Sequence, residues 1–312
     1  MKFIDPRIDF AFKKIFGSDD AKDILISFLE SLLCLEGDRR LAEVTLLDPF
    51  LAPKIRELKH SILDVKCRDR RGVTYIVEMQ VQKVAAFLKR IQYNAAKAYV
   101  HQIDRGDDYP KPNQVIAITI TDFLLFQGFD HAISRHESRE SLTGQSFLQD
   151  ILHYFIELPK FTKTLDESIN IIDQWIFFIK HADSLQEIPA HIHAPEILHA
   201  FEKARVANMT REELELYDNA GIAITDARGM IELAREEGEA RGEARGIQKG
   251  LRDGAIQTLL LLLHHRFGPA PDWVQERIAQ ADLATLTRWT ENVLHAASPE
   301  AVFTLEVAQR HP

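Results

Sequence analysis

The chain has 312 residues, 46% of them hydrophobic, and a formal net charge of -9 at pH 7. That length suits two modest domains or one domain with an appendix, and the apolar content is that of an ordinary globular protein. Two cysteines, Cys34 and Cys67, exclude a disulfide scaffold or a cysteine-rich zinc module and suggest reduced thiols in the cytoplasm. No signal peptide or membrane span is legible: the longest purely aliphatic run, Leu259 to Leu263, is far too short to cross a bilayer. The acidity belongs to the back half, while residues 1–125 are slightly basic, so a phosphate-binding face on the front half is permitted.

In chain order, DFAFKKIFG places Phe12 and Phe16 on one helical face with Lys13 beside them and Gly17 as a stop, which reads as a short amphipathic docking helix. Asp19 and Asp20 cap a helix through about Leu35, whose stripe is Ile24, Leu25, Phe28, Leu29, Leu32 and Leu33. Glu30 lies at the margin of that stripe, either as a solvated edge residue or aimed at the acids of the following hairpin. A strand is expected near Glu43 to Leu51.

The stretch Ser61 to Gln82 organises the rest. Two β-rich runs, Ile62 to Cys67 and Val73 to Val81, flank the polar segment Arg68-Asp69-Arg70-Arg71-Gly72, the pattern of a hairpin. Side chains alternate along a strand, so Ile62, Asp64 and Lys66 share one face and Ile76, Glu78 and Gln80 share another. A five-residue connection, 69–73, sets Arg68 against Thr74 and Asp64 against Glu78; a three-residue connection, 69–71, makes the acids diagonal neighbours. Either register brings two carboxylates together among apolar neighbours, where a divalent cation is the simplest thing to offset their repulsion.

A helix from about Val84 to Asp104, ending near Gly106, carries an apolar face of Phe87, Ile91, Ala95, Ala98 and Tyr99. Arg90, Tyr93 and Lys97 form its second face, either an ordinary solvated basic face or a place where a phosphate is held. Gln114 to Thr121 is apolar on both faces, as an interior strand requires. Ile151 to Leu158 reads as a further strand and Leu165 to His181 as a buried helix. His191 and His193 have no acid or cysteine at a supporting spacing and read as surface loop. From Gly238, glycine recurs every four residues to Gly254 among Glu and Arg, which is the pattern of a charged linker or an oligomerising helix. From about Ala255 the tail reads as three or four short helices with Leu259 to Leu263, Trp273, Ile278, Trp289, Leu294 and Phe303 as their core.

The order helix, three strands, helix, strand, with Asp64 on one strand and Glu78-Met79-Gln80 on the next, resembles the PD-(D/E)XK nuclease superfamily. More narrowly, Asp9, Phe12, Lys13 and Phe16, the run Leu63 to Lys66, the run Ile76 to Gln80, and Arg90 with Tyr93 look like its Rpn branch, the recombination-promoting nucleases grouped with transposases. The match covers roughly residues 5–160, and the glycine-periodic segment and tail are similar to a small helical domain of unknown function that often follows.

The resemblance implies an α/β fold: a restriction-endonuclease-like αβββαβ core with a mixed sheet, followed by a helical region and a small C-terminal helical bundle. The expected division is 1–160 nuclease-like, 161–237 helical extension, 238–254 glycine-periodic helix or linker, and 255–312 helical domain. The implied activity is metal-dependent endonucleolytic cutting of DNA, associated with recombination or mobile elements. Asp64, Glu78 and the Met79 carbonyl would hold Mg²⁺, or Mn²⁺ or Ca²⁺, with Glu30 in the outer shell. The superfamily usually has lysine where this chain has Gln80, so Gln80 is expected to position water and Lys66 to supply the missing charge. Lys13, Arg90, Tyr93 and Lys97 are the expected nucleic-acid contacts, and 238–254 the site of homo-oligomer formation. The alternative from another class is a non-catalytic nuclease-fold protein that acts as an assembly module.

Overall fold

A computed structural model describes residues 2–48, 50–51, 61–103 and 112–304. Two compact units divide the chain, residues 1–228 and residues 229–312. In the first, α1 (Asp9–Phe16) and α2 (Lys22–Leu33) precede β1 (Val44–Leu46), β2 (Phe50–Leu51), β3 (Ser61–Ile62), β4 (Val65–Asp69) and β5 (Thr74–Gln80). Then come α3 (Phe87–Val100), β6 (Val115–Thr121), β7 (Ile133–His136), β8 (Ile151–Glu157), α4 (Ile171–His181) and α5 (Pro195–Ala204). The long helix α6 (Arg211–Phe267) carries the division between the units.

Six strands form one mixed sheet in the order β1-β4-β5-β6-β8-β7. Strands β1, β4 and β5 pair antiparallel, β5, β6 and β8 run parallel, and β7 returns antiparallel on β8. Every residue of β6 is buried, because helices cover both faces of a sheet that has parallel strands at its centre. On one face α1, α2, α4 and α5 bury Phe12, Phe16, Phe28, Trp175, Phe178 and Phe201 in a single core. On the other, α3 lays Ala95 and Ala98 against Ile76 and Ala117, and Phe87 and Ile91 against Phe155. This is the α/β restriction-endonuclease-like arrangement, with α1 and α3 on opposite faces of β5.

The hairpin takes the five-residue connection: Arg68 pairs with Thr74 and Val65 with Val77. Asp69 organises the turn by accepting from the Arg71 and Val73 amides at 2.9 and 3.0 Å. Gly72 sits in that turn at φ +86°, and a Cβ there would meet the Asn113 side chain at 2.5 Å, so only glycine fits. The first run of the hairpin is not one strand, however. Ser61–Ile62 pairs with Phe50–Leu51 in a separate two-stranded sheet, the chain bends at Asp64, and only Val65–Asp69 joins the main sheet. The strand expected over Glu43 to Leu51 is divided in the same way between β1 and β2, with residue 49 outside the described residues. Alternation alone cannot show such a bend, because the apolar pattern continues through it.

Further differences are local. Strand β7 had no sequence forecast, and helix α5 falls in the expected helical extension without a forecast position of its own; β7 is short and sits at the sheet edge, where no continuous apolar run is needed. The expected end of the α3 helix at Asp104 to Gly106 lies outside the described residues. The segment before α1 is tied down by Arg7, whose guanidinium meets Asp5 at 2.8 Å, Asp183 at 3.1 Å and Asp122 at 3.5 Å. With Phe12 and Phe16 buried, α1 docks its apolar face on the core, as its amphipathic pattern predicts.

In the second unit the end of α6 packs with α7 (Asp272–Gln280), α8 (Leu283–Val293) and α9 (Pro299–Val302). Leu259, Leu263, Ile278, Leu286, Trp289 and Phe303 are its core. Gly238 to Gly254 are all helical, and a Cβ added at any of the five would meet nothing within 4 Å. Among the described residues no helix is long and apolar enough to cross a membrane.

Candidate active site

Asp64 stands at the bend before β4, one step beyond the Val65–Val77 pair, and therefore opposite Glu78. Its Oδ2 accepts from the Met79 amide at 2.7 Å, and its Oδ1 lies 3.7 Å from Lys13 Nζ on α1. Asp9, also on α1, is bridged to Lys13 at 2.7 Å and adds its negative charge beside the same carboxyl. Burial pushes the Asp64 carboxyl up to about 7; the Met79 amide opposes this, while Asp9 and Glu78 reinforce it.

Glu78 projects from β5 toward α3, where Asn94 Nδ2 donates to its Oε1 at 3.0 Å. Burial raises its carboxyl above the ordinary glutamate value, partly offset by Asn94 and by the charge of Arg90. Two residues along the same face, Gln80 accepts at Oε1 from Arg90 Nη2 and donates from Nε2 to the Gln82 carbonyl at 3.1 Å. Arg90 also lies over the Phe87 ring, 5.4 Å from its centroid.

The backbone contributes as well. The Gln80 carbonyl accepts from the Asp122 amide on the β6 side, so in an extended strand the Met79 carbonyl turns the opposite way, toward Asp64. Asp64, Glu78 and that carbonyl form an all-oxygen donor set, which suits a hard cation such as Mg²⁺, Mn²⁺ or Ca²⁺. Among the described residues no three His, Cys, Asp or Glu side chains form a group that could hold a metal. Two carboxylates suffice for Mg²⁺, which keeps several of its waters. The residues present therefore fit such an ion, and the two desolvated acids are the part of the fold that its charge would relieve.

Other expected site residues are placed elsewhere. Glu30 is not brought to Asp64 and Glu78: its carboxylate accepts from Arg40 at 2.9 Å and from the Leu41 amide at 2.6 Å, closing the loop after α2. Lys66 makes no ion pair with Asp64 or Glu78; it is half-buried, and burial with nearby Arg68 lowers its pKa against the pull of Asp48. Tyr93 is 40% exposed, but Lys97 is only 7% exposed, its ammonium 5.7 Å from the Tyr93 ring, so Arg90, Tyr93 and Lys97 do not form one presented basic face.

Two contributors, Asn94 and Asp9, receive no role from the sequence, and Lys13, expected at nucleic acid, stands beside Asp64. Asn94 is a polar residue inside the Ile91, Ala95, Ala98 stripe, and a buried amide at that position signals a specific partner. Asp9 and Lys13 stand at i, i+4 on α1, a spacing that pairs them locally and gives no hint of Asp64.

Comparison with curated proteins and with solved structures returned no match. The sequence profile of the PD-(D/E)XK nuclease family transposases matches residues 6–234, a span that begins just before α1, contains the whole sheet and holds every residue of the site just described. The chain belongs to the PD-(D/E)XK nuclease family transposases.

Proposed function

We propose that this protein is a metal-dependent endonuclease that hydrolyses phosphodiester bonds of DNA in the cytoplasm, in the context of recombination or mobile elements. The observation that supports it best is the pairing of Asp64 and Glu78, two partly buried carboxyls raised in pKa by the same desolvation and held by different partners. A divalent cation held by Asp64, Glu78 and the Met79 carbonyl would supply a polarised phosphoryl oxygen and a bound water of lowered pKa. The chain's own residues set up that chemistry. The Met79 amide fixes Asp64, Asn94 fixes Glu78, and Lys13 and Arg90 bring positive charge to the acids from opposite sides of the sheet. Arg90 and Tyr93, exposed on α3, are the residues offered to the nucleic-acid backbone.

Nicking of supercoiled plasmid tests this reading. Wild type should cut with Mg²⁺ or Mn²⁺ and not with chelator, and Asp64→Ala and Glu78→Ala should each abolish the cut. Equal nicking by wild type and both variants would refute it.

One observation favours the alternative of a non-catalytic assembly module: Lys13 already provides Asp64 and Asp9 with an internal counter-charge. Calorimetric titration with Mn²⁺ separates the two, since a nuclease site binds the ion and a self-neutralised pair does not. Homo-oligomer formation through 238–254 belongs to either reading; the glycine face left uncovered within the chain supports it.

A further inference from the structure

Phosphodiester hydrolysis adds water oxygen to phosphorus and breaks one P–O ester bond, with negative charge growing on the phosphoryl and leaving oxygens in between. Fixed positive charge at that point is worth far more than in water, because the surroundings need not reorganise. The two acids of this site add only negative charge. On the face of Glu78 the residue two positions along β5 is the neutral Gln80, and the expected substitute Lys66 makes no ion pair with either acid.

Arg90 changes that account. Its Nη2 donates to Gln80 Oε1, and the other end of the Gln80 amide is fixed on the Gln82 carbonyl, so the amide presents its oxygen to Arg90. Counted outward from Cα, a lysine at position 80 would end its ammonium one covalent bond beyond the place where glutamine ends its oxygen. Arg90 Nη2 stands one hydrogen bond beyond that oxygen. The Phe87 ring supports the guanidinium from below, and Arg90 is near enough to Glu78 to act on its charge.

We propose that Gln80 and Arg90 act as one composite cation: Gln80 is a positioning residue that holds the Arg90 guanidinium where the scissile phosphate develops charge, and Arg90 is the catalytic residue. This rests on the nuclease reading above and deepens it. Both donors of Arg90 Nη2 cannot be satisfied by one oxygen, so Arg90 keeps hydrogen-bonding capacity for a phosphate. A guanidinium does not shuttle protons in such a reaction, so its contribution is charge and orientation, and the leaving oxygen takes its proton from water. On this account Gln80 is engaged with Arg90 and is not the residue that positions the attacking water.

The composite makes a sign prediction that a plain phosphate contact does not. Gln80→Lys in the otherwise natural chain sets an ammonium against Arg90 and should slow cutting, whereas Gln80→Lys in an Arg90→Ala background restores a single cation at the right place. The experiment uses the full chain, Mn²⁺ and a labelled DNA duplex, and measures the single-turnover rate at saturation together with the half-saturating concentration. Melting temperature confirms that every variant is folded. Arg90→Ala should lower the saturated rate about 100-fold, the usual cost of removing one group that stabilises developing charge, with little change in half-saturation. The double variant should recover to within about 10-fold of wild type, since a misplaced cation still supplies part of that stabilisation. Lys89→Ala, an exposed neighbour on α3, should behave as wild type.

Two results overturn the proposal while leaving the nuclease reading intact: Arg90→Ala that raises only the half-saturating concentration, or a double variant no faster than Arg90→Ala alone. Wild type that is as inert as Asp64→Ala would overturn the nuclease reading, and the composite with it.

Discussion

The Met79 amide donates to Asp64 Oδ2 at 2.7 Å, so the strand that carries Glu78 also holds the carboxylate at the bend opposite. The contact uses backbone alone, while the Met79 side chain packs partly buried against the main core. Met79→Leu, a volume-conserving change, should therefore cost less than about 1.5 kcal/mol of stability. It should leave cutting near wild type, in contrast to Asp64→Ala. Loss of cutting by a folded Met79→Leu protein would show that the thioether takes part.

In chelator, stability should fall as pH rises through the range where Asp64 ionises. The folded carboxyl titrates at about 7, whereas an unfolded aspartate titrates near ~3.9. Between those values the folded chain holds a proton that the unfolded chain has lost, so folding is favoured at the acid end and weakens toward pH 7. At about 1.36 kcal/mol per unit the loss by pH 8 is on the order of 2–4 kcal/mol. Glu78, also raised, adds in the same direction. Asp64→Asn should flatten the profile and melt higher than wild type at pH 8; identical profiles would contradict the burial argument.

Asn94 should matter through Glu78. Asn94→Ala removes the donor at 3.0 Å from a partly buried carboxylate, a change worth about 1–3 kcal/mol when a charged group loses its partner. In a binding titration this should appear as weaker affinity for Mn²⁺, most at the acid end of the range, because loss of the amide donor raises Glu78 further and its protonation competes with the ion. The affinity should recover as pH is raised. A loss independent of pH would assign Asn94 a different task.

The glycine-periodic segment offers opposite outcomes for the single helix and the assembly. Since a Cβ at Gly242 or Gly246 meets nothing within 4 Å in the chain, alanine there should stabilise the helix by up to about 1 kcal/mol per site. If the stripe is where two copies approach, Gly242→Leu with Gly246→Leu should lower the mass found by light scattering. An unchanged mass would remove this face from the assembly.

Trp175 tests the core that carries the site. It is fully buried against Phe16, Phe28 and Phe178, and its Nε1 donates to Ser27 Oγ at 3.3 Å. Trp175→Ala should cost about 3–5 kcal/mol in denaturant unfolding, as large-to-small changes in tight cores do. A much smaller cost would mean that α4 repacks without it.

Much of this protein is determined by its sequence because the relevant physics is local. The two-residue period of a strand and a connection of odd length are enough to bring Asp64 and Glu78 together in either register, the structure selecting the 69–73 connection, and the unbroken β-branched run of β6 demands cover on both faces. Four-residue spacing likewise suffices to place the five glycines along one drifting stripe of a helix. What only the tertiary structure decided is which charged side chains complete the site. Glu30, Lys66 and Lys97 carry suitable chemistry at plausible spacings, yet Arg40, partial burial and the Tyr93 ring claim them. Lys13 and Arg90 reach the acids from helices on opposite faces of the sheet, and the pairing of Arg90 with Gln80 depends on how α3 lies across β5. Long flexible side chains take partners by distance in space, and no periodicity along the chain encodes that distance.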